Sequence, residues 1–291
     1  MSAASQAGTS ARSTDRSAGR SALRVSLSYV AMLAALLFFL FPYYWMVSAA
    51  FKAPGDVTAY PPVWVFEPTL VNFKELFDDL DAMQALTNSL IVVGISTCLA
   101  IIFGSMAAYA LARFDIKGKE VLALEILLFR MVPPIVSVIP LFILARKLGI
   151  FDTYWILIAI YTSMGLPLAV WVMRVFTQEI PKSIEEAAMI DGCNRLQALY
   201  RVTIPLMLPG LVATIVIVFM FAWNEYLFAS LLTSSNAKTL PVMTAVTIKP
   251  RAISWGVASA AGFLMSLPVV VLALLVQRYL VRGLTFGVIK G

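Results

Sequence analysis

The sequence predicts an all-α membrane protein with six transmembrane helices, and three observations carry that expectation. The chain is 60% hydrophobic and only 13% charged over 291 residues, whereas a soluble domain carries about 25% charge. Its apolar residues fall into blocks free of Asp, Glu, Lys and Arg: between Arg24 and Lys52, Asp81 and Arg113, Asp152 and Arg174, Arg201 and Glu225, and Arg251 and Arg278. Each block exceeds the roughly 20 residues a helix needs to cross a ~30 Å hydrocarbon core. The third observation is a charge asymmetry. Most of the 22 Lys and Arg fall in the N-terminus, the 113–120 and 174–208 loops and the C-terminus. Such an excess marks the cytoplasmic side, so both termini are expected inside the cell.

Residues 1–24 are mostly Ser, Ala, Gly, Thr and Arg with little to bury, and the expectation is a disordered cytoplasmic tail. The membrane-spanning body is then expected over 25–283, with a C-terminal cytoplasmic tail over 284–291. The first span, about 25–50, is too long for a signal peptide, and its Pro42-Tyr43-Tyr44-Trp45 cluster suits an interface anchor. The external 52–84 loop carries five prolines and glycines and an amphipathic stretch, 72–83, that could lie on the membrane surface. The second span is expected at 85–112 and turns at Asp115–Lys119 into a third at 121–145, which contains Glu125 and Arg130. The fourth lies between Asp152 and Arg174, the fifth at 209–232 and the sixth at 255–279. Pro133, Pro134, Pro140, Pro167 and Pro268 mark kinks, which membrane helices tolerate when neighbours satisfy the freed carbonyls.

The inventory of reactive residues is thin. There is no histidine, which removes His-based metal sites and Ser-His or Cys-His catalysis. Cys98 lies in a span and Cys193 in a loop assigned to the reducing side, so no disulfide is expected. Gly118-Lys119 is followed by Glu120 and lacks the preceding glycine of a phosphate-binding loop. No catalytic residue, metal or cofactor is expected.

The loop at about 177–209 is the most informative connector. Ser183 and Glu186 have the S-x-x-E spacing of a capping box, which starts a helix at Ile184. Gly192 suits its end, because glycine adopts the left-handed conformation cheaply. Ile184, Ala187 and Ala188 share a face on which a partner's backbone could come close, and Glu185, Glu186 and Asp191 offer acidic contacts. On pattern alone this is equally a plain surface helix between two spans.

Glu186-Ala187-Ala188, then Gly192, then Val202-Thr203-Ile204-Pro205 resembles the EAA loop of ABC importer permeases, E-A-A-x3-G-x9-I-x-L-P, with Val202 for Ile and Ile204 for Leu. Ala108–Lys119 resembles the A-Y-A-x-A-R-F-x-F-x-G-K turn of the carbohydrate-uptake type, and Trp223-Asn224-Glu225-Tyr226 its W-N-E-F segment. The ending Gly283–Gly291 resembles the G-L-T-x-G-A-V-K-G tail of maltose-importer-like permeases. The resemblance implies a type I importer fold and a coupling helix over 183–192 that seats in an ATPase subunit. It also implies a tail whose Thr285, Gly287 and Lys290 contact the ATPase. The implied partners are a second homologous permease, two cytoplasmic ATPase subunits and an external solute-binding protein that touches the 233–254 loop. The implied cargo is a sugar, a disaccharide such as trehalose or maltose, moved across a bacterial inner membrane. Another solute, such as a glycerol phosphate, and an ion-coupled secondary transporter are the alternatives.

Charges within spans must pair or face water, because a lone ionised side chain there costs a few kcal/mol. Glu125, Arg130 and Glu225 therefore form either a structural ion pair or part of a solute pathway. In the second reading Arg130, Asn224, Glu225 and Tyr226 supply the polar groups and aromatic faces that sugars bind.

Overall fold

The computed structural model describes the backbone of residues 7–249 and 252–286 and the side chains of 25–247 and 254–277. α1 (Ala7–Phe51) contains the first apolar run, Val25–Phe51. It is helical from Ala7, where composition suggests disorder; the extension holds no proline and only Gly8 and Gly19. α2 (Ala82–Arg113) follows the external loop. Within that loop the expected surface helix is reduced to short turns at Val71–Lys74 and Glu75–Asp79. These turn inward: Leu76 is buried, and the Asn72 amide donates to the carbonyls of Ala50 and Lys52 at 3.0 and 2.7 Å.

The expected third span is broken. α3 (Lys119–Leu128) and the tight turn Phe129–Met131 meet α4 (Pro134–Lys147) at 85°. Pro133 and Pro134 cause the break: residue 132 is pushed to extended backbone by the following proline, and Pro134 then starts a new helix at the position where its missing N–H costs nothing. α5 (Tyr154–Glu179) is continuous through Pro167. It leads to α6 (Lys182–Ile190) and then to short helical segments between Arg195 and Leu206. α7 (Leu208–Trp223) stands at 84° to that segment. The expected fifth span also ends early, with Asn224–Tyr226 separating α7 from α8 (Leu227–Leu232). α9 (Leu240–Val246) precedes a two-residue antiparallel ladder, β1 (Ile248–Lys249) with β2 (Ala252–Ile253). α10 (Trp255–Phe286) is the last described helix, longer than the 255–279 expected. Among the described residues four helices are long and apolar enough to cross a membrane, and up to six spans result if each bent pair counts as one.

α2 and α5 pack along their length as the centre of the bundle. They come into close contact at Gly104, where a Cβ would lie 2.5 Å from that of Ala169. Small residues at such crossings are what lets membrane helices gain van der Waals contact without a hydrophobic driving force. Trp223 at the end of α7 is 1% exposed, stacks on Phe219 and donates its indole N–H to the carbonyl of Met265 at 3.0 Å. α1 packs on α10 near Phe51, whose ring meets Phe73 and Phe263 at 5.0 and 6.0 Å. Residues 25–44 of α1 are exposed, with Phe38 and Phe39 each at 75%. So extensive an apolar surface suits lipid or another membrane chain, not water.

Candidate functional site

α6 is built differently from its sequence expectation. The helix starts two residues earlier, at Lys182 with Pro181 as its N-cap, and Ser183 lies inside the first turn without a capping bond. Proline's fixed φ, −58° here, sets the entry without a side-chain acceptor. The capping box belongs instead to the next segment. Asn194 Oδ1 accepts the Gln197 N–H at 2.8 Å, and Gln197 Oε1 accepts the Asn194 N–H at 2.9 Å. That N-x-x-Q spacing is legible in the sequence as the same motif. Gly192 does end α6, at φ +95°. Its N–H donates to Met189 O at 3.1 Å, and that of Cys193 donates to Ala188 O at 3.0 Å. This pair of bonds is a Schellman cap, which requires the left-handed residue.

Glu185 was expected among the outward acidic contacts, and the structure corrects this. It is 3% exposed, and its carboxylate is held from three sides. Arg113, the last residue of α2, reaches it through Nε at 2.9 and 3.0 Å and through Nη2 at 2.7 Å. Tyr109 donates its hydroxyl at 3.1 Å, and Thr203 donates at 3.0 Å. Successive helical residues point about 100° apart, so adjacent acids have different fates and Glu186 stays exposed. The partner that buries Glu185 lies 72 residues away, and nothing in one sequence pairs the two. Ile184, Ala187 and Ile190 are exposed with Glu186, as are Asp191 and Gly192, while Ala188 is half-buried. α6 therefore presents a short face of apolar, small and acidic side chains.

The residues expected to line a pathway separate into two groups. Glu225 is half-buried and engaged internally: it accepts the Tyr161 hydroxyl at 2.8 Å and the N–H groups of Phe228 and Ala229 at 2.9 and 3.2 Å. It thus caps α8 across the break. Arg130 pairs with neither Glu225 nor Glu125; its guanidinium sits 4.4 Å from the ring centroid of Phe221. Arg130, Phe221, Asn224 and Tyr226 are all exposed. Phe221 was not among the expected residues, although it lies one helical turn before Asn224.

At the end of the bundle opposite α6, the 233–239 segment is pinned. Asp152, at φ +56°, accepts the N–H groups of Ser234, Ser235, Asn236 and Ala237 at 2.9 to 3.1 Å. The Asn88 amide donates to the carbonyls of Asn236 and Lys238, and the Tyr154 hydroxyl bonds to Asn88 Oδ1. Burial raises the Asp152 pKa, and the four N–H donors more than reverse this, holding the carboxyl below the usual aspartate range. Its contribution to stability is therefore complete above the unfolded aspartate value of about 3.9 and is lost only as pH falls through the lower folded value. Asp152→Ala is expected to expose the Ser234–Ala237 amides to hydrogen exchange at neutral pH, whereas wild-type protection should persist down to about pH 4. Thr285 has only its backbone described, and Gly287 and Lys290 lie outside the described residues.

Residues 100–286 match the family described as Binding-protein-dependent transport system inner membrane component. The chain belongs to that family. It is 40% identical over 252 residues to the probable ABC transporter permease protein y4oR of Sinorhizobium fredii, covering 87% of this chain and 91% of that protein. It is 36% identical to the trehalose/maltose transport system permease protein MalG of Thermococcus litoralis, covering 87% and 92%. It is 37% identical to the trehalose transport system permease protein SugB of Mycobacterium tuberculosis, covering 87% and 93%. The fold matches a chain in the crystal structure of a bacterial ABC transporter involved in alginate import, with a TM-score of 0.71 at 23% identity over 92% of this chain and 98% of that one. The chain is thus a multi-pass inner-membrane ABC importer permease of type I fold. Permease subunits are non-catalytic, and ATP hydrolysis belongs to separate ATPase subunits.

Proposed function

We propose that this permease moves a sugar into the bacterial cytoplasm, driven by two ATPase subunits, one of which seats on the exposed face of α6. The single observation that carries the docking role is that face: Ile184, Glu186, Ala187 and Ile190 are exposed on a helix rigidly capped at Gly192 and anchored from behind by Glu185. The proposed orientation places both termini and α6 in the cytoplasm, with the C-terminal tail, including Thr285, Gly287 and Lys290, against the ATPase. The pinned 233–239 segment then faces an external solute-binding protein, and a second homologous permease completes the pathway.

The proposed cargo is a disaccharide such as trehalose or maltose, supported by the printed substrates of two relatives. Arg130, Phe221, Asn224 and Tyr226 are proposed to line its path, with Glu225 fixing the backbone around them. A phosphorylated solute such as a glycerol phosphate is the second reading, favoured because Arg130 has no acidic partner among the described residues. The test is uptake by the full complex in proteoliposomes, with trehalose, maltose and glycerol phosphate compared. ATP-dependent disaccharide uptake is expected, and gradient-driven uptake that survives removal of the ATPase would contradict the reading. Asn224→Ala and Tyr226→Ala should each raise KM about tenfold, the effect of one lost hydrogen bond or stacking contact of about 1.4 kcal/mol, with ATPase assembly unchanged.

A further inference from the structure

Two consecutive residues at the end of α2 grip the segment that follows α5. Arg113 holds Glu185 of α6 and also donates from Nη2 to the carbonyl of Ile180, just before α6, at 2.9 Å. Phe114 lies under the guanidinium of Arg195 at 5.0 Å and meets Tyr109 edge-on. The Glu185 carboxylate therefore joins α2, through Arg113 and Tyr109, to the Leu199–Thr203 turn, through Thr203, and α6 carries it. The side chains of Arg113 and Glu185 are each only 5% exposed. An ion pair so deeply buried is a poor source of stability, because desolvation offsets its attraction, and an apolar pair would serve folding as well. What it supplies is direction: a bidentate guanidinium–carboxylate pair fixes both distance and angle between the elements that carry it.

We propose that Glu185 is a positioning residue for coupling. It makes α6 a rigid lever on α2, so that displacement of α6 is carried into α2 and onward through the close α2–α5 contact at Gly104. This rests on the reading of α6 as the ATPase contact and adds the route by which the motion leaves it.

The test uses the complete complex, with partner permease, ATPase and binding protein, in proteoliposomes where ATP hydrolysis and solute uptake are measured together. Glu185→Gln is expected to leave hydrolysis running while uptake per ATP falls about tenfold, a loss within the roughly 5–150-fold range of coupling free energies. Thr203→Val, which is isosteric and removes one bond to the carboxylate, should lower the same ratio about fivefold. A purely structural role would reduce hydrolysis and uptake together, leaving the ratio unchanged, and that result would overturn the proposal. Should Glu185→Gln fail to assemble, the ratio for Thr203→Val decides by the same criterion. ATPase retained by a Glu186→Lys complex would count against the docking reading instead, so the two failures are separable.

Discussion

Gly104→Val is expected to abolish recovery of the folded permease from the membrane. At this position α2 and α5 are in close contact: a Cβ would stand 2.5 Å from Ala169 Cβ and 3.3 Å from the Ala169 carbonyl carbon and the Val170 nitrogen. None of these atoms can swing away, because Ala169 has no rotamer and the others are backbone. Overpacking a tight core commonly costs about 1–3 kcal/mol, and more where relief requires moving a helix. Valine adds two methyls to that clash in the pair of helices that centres the bundle. Gly94, on the same helix, has open space where its Cβ would lie. Gly94→Ala should therefore not lower the melting temperature in detergent, which separates a packing effect from a general effect of removing helix glycines.

The second large effect is expected from combining Glu186→Lys with Gly192→Pro, which should eliminate ATPase recovery with the permease while membrane insertion persists. Proline cannot adopt the φ of +95° found at residue 192. It also deletes the N–H that closes the helix on Met189, and it disfavours the near-helical backbone of Asp191 before it. The last turn of α6 should unwind, at a cost of about 3 kcal/mol or more. Glu186→Lys reverses the charge on the face that remains. Neither change touches Arg113, Tyr109 or Thr203, so the root of α6 stays attached to α2.

The sequence made the continuous spans legible because charge-free runs report length and solvent directly: Val25–Phe51 and Ala82–Arg113 fall within a few residues of expectation. Direction is another matter. Pro133-Pro134 announces a break, yet the 85° angle between α3 and α4 depends on what each half packs against. The interruption at Asn224–Tyr226 carries no proline or glycine, and it exists because Glu225 can cap α8 and accept the Tyr161 hydroxyl. At α6, composition and spacing reveal a short helix ending at Gly192. They cannot say which of Glu185 and Glu186 turns inward, because the answer lies in Arg113 on another helix. The resemblance to the EAA loop supplies the role proposed for that helix, and the geometry divides its residues between an exposed face and a buried anchor.

On the proposed reading, the exposed face of α6 is where the ATPase binds. The most direct test of this claim is the amount of ATPase recovered with the permease pair when single charge-altering substitutions are walked from Lys182 to Ile190. Ile184→Lys, Glu186→Lys, Ala187→Lys and Ile190→Lys should each sharply reduce recovery while the permease still inserts and folds. Undiminished recovery at all four positions would contradict the claim.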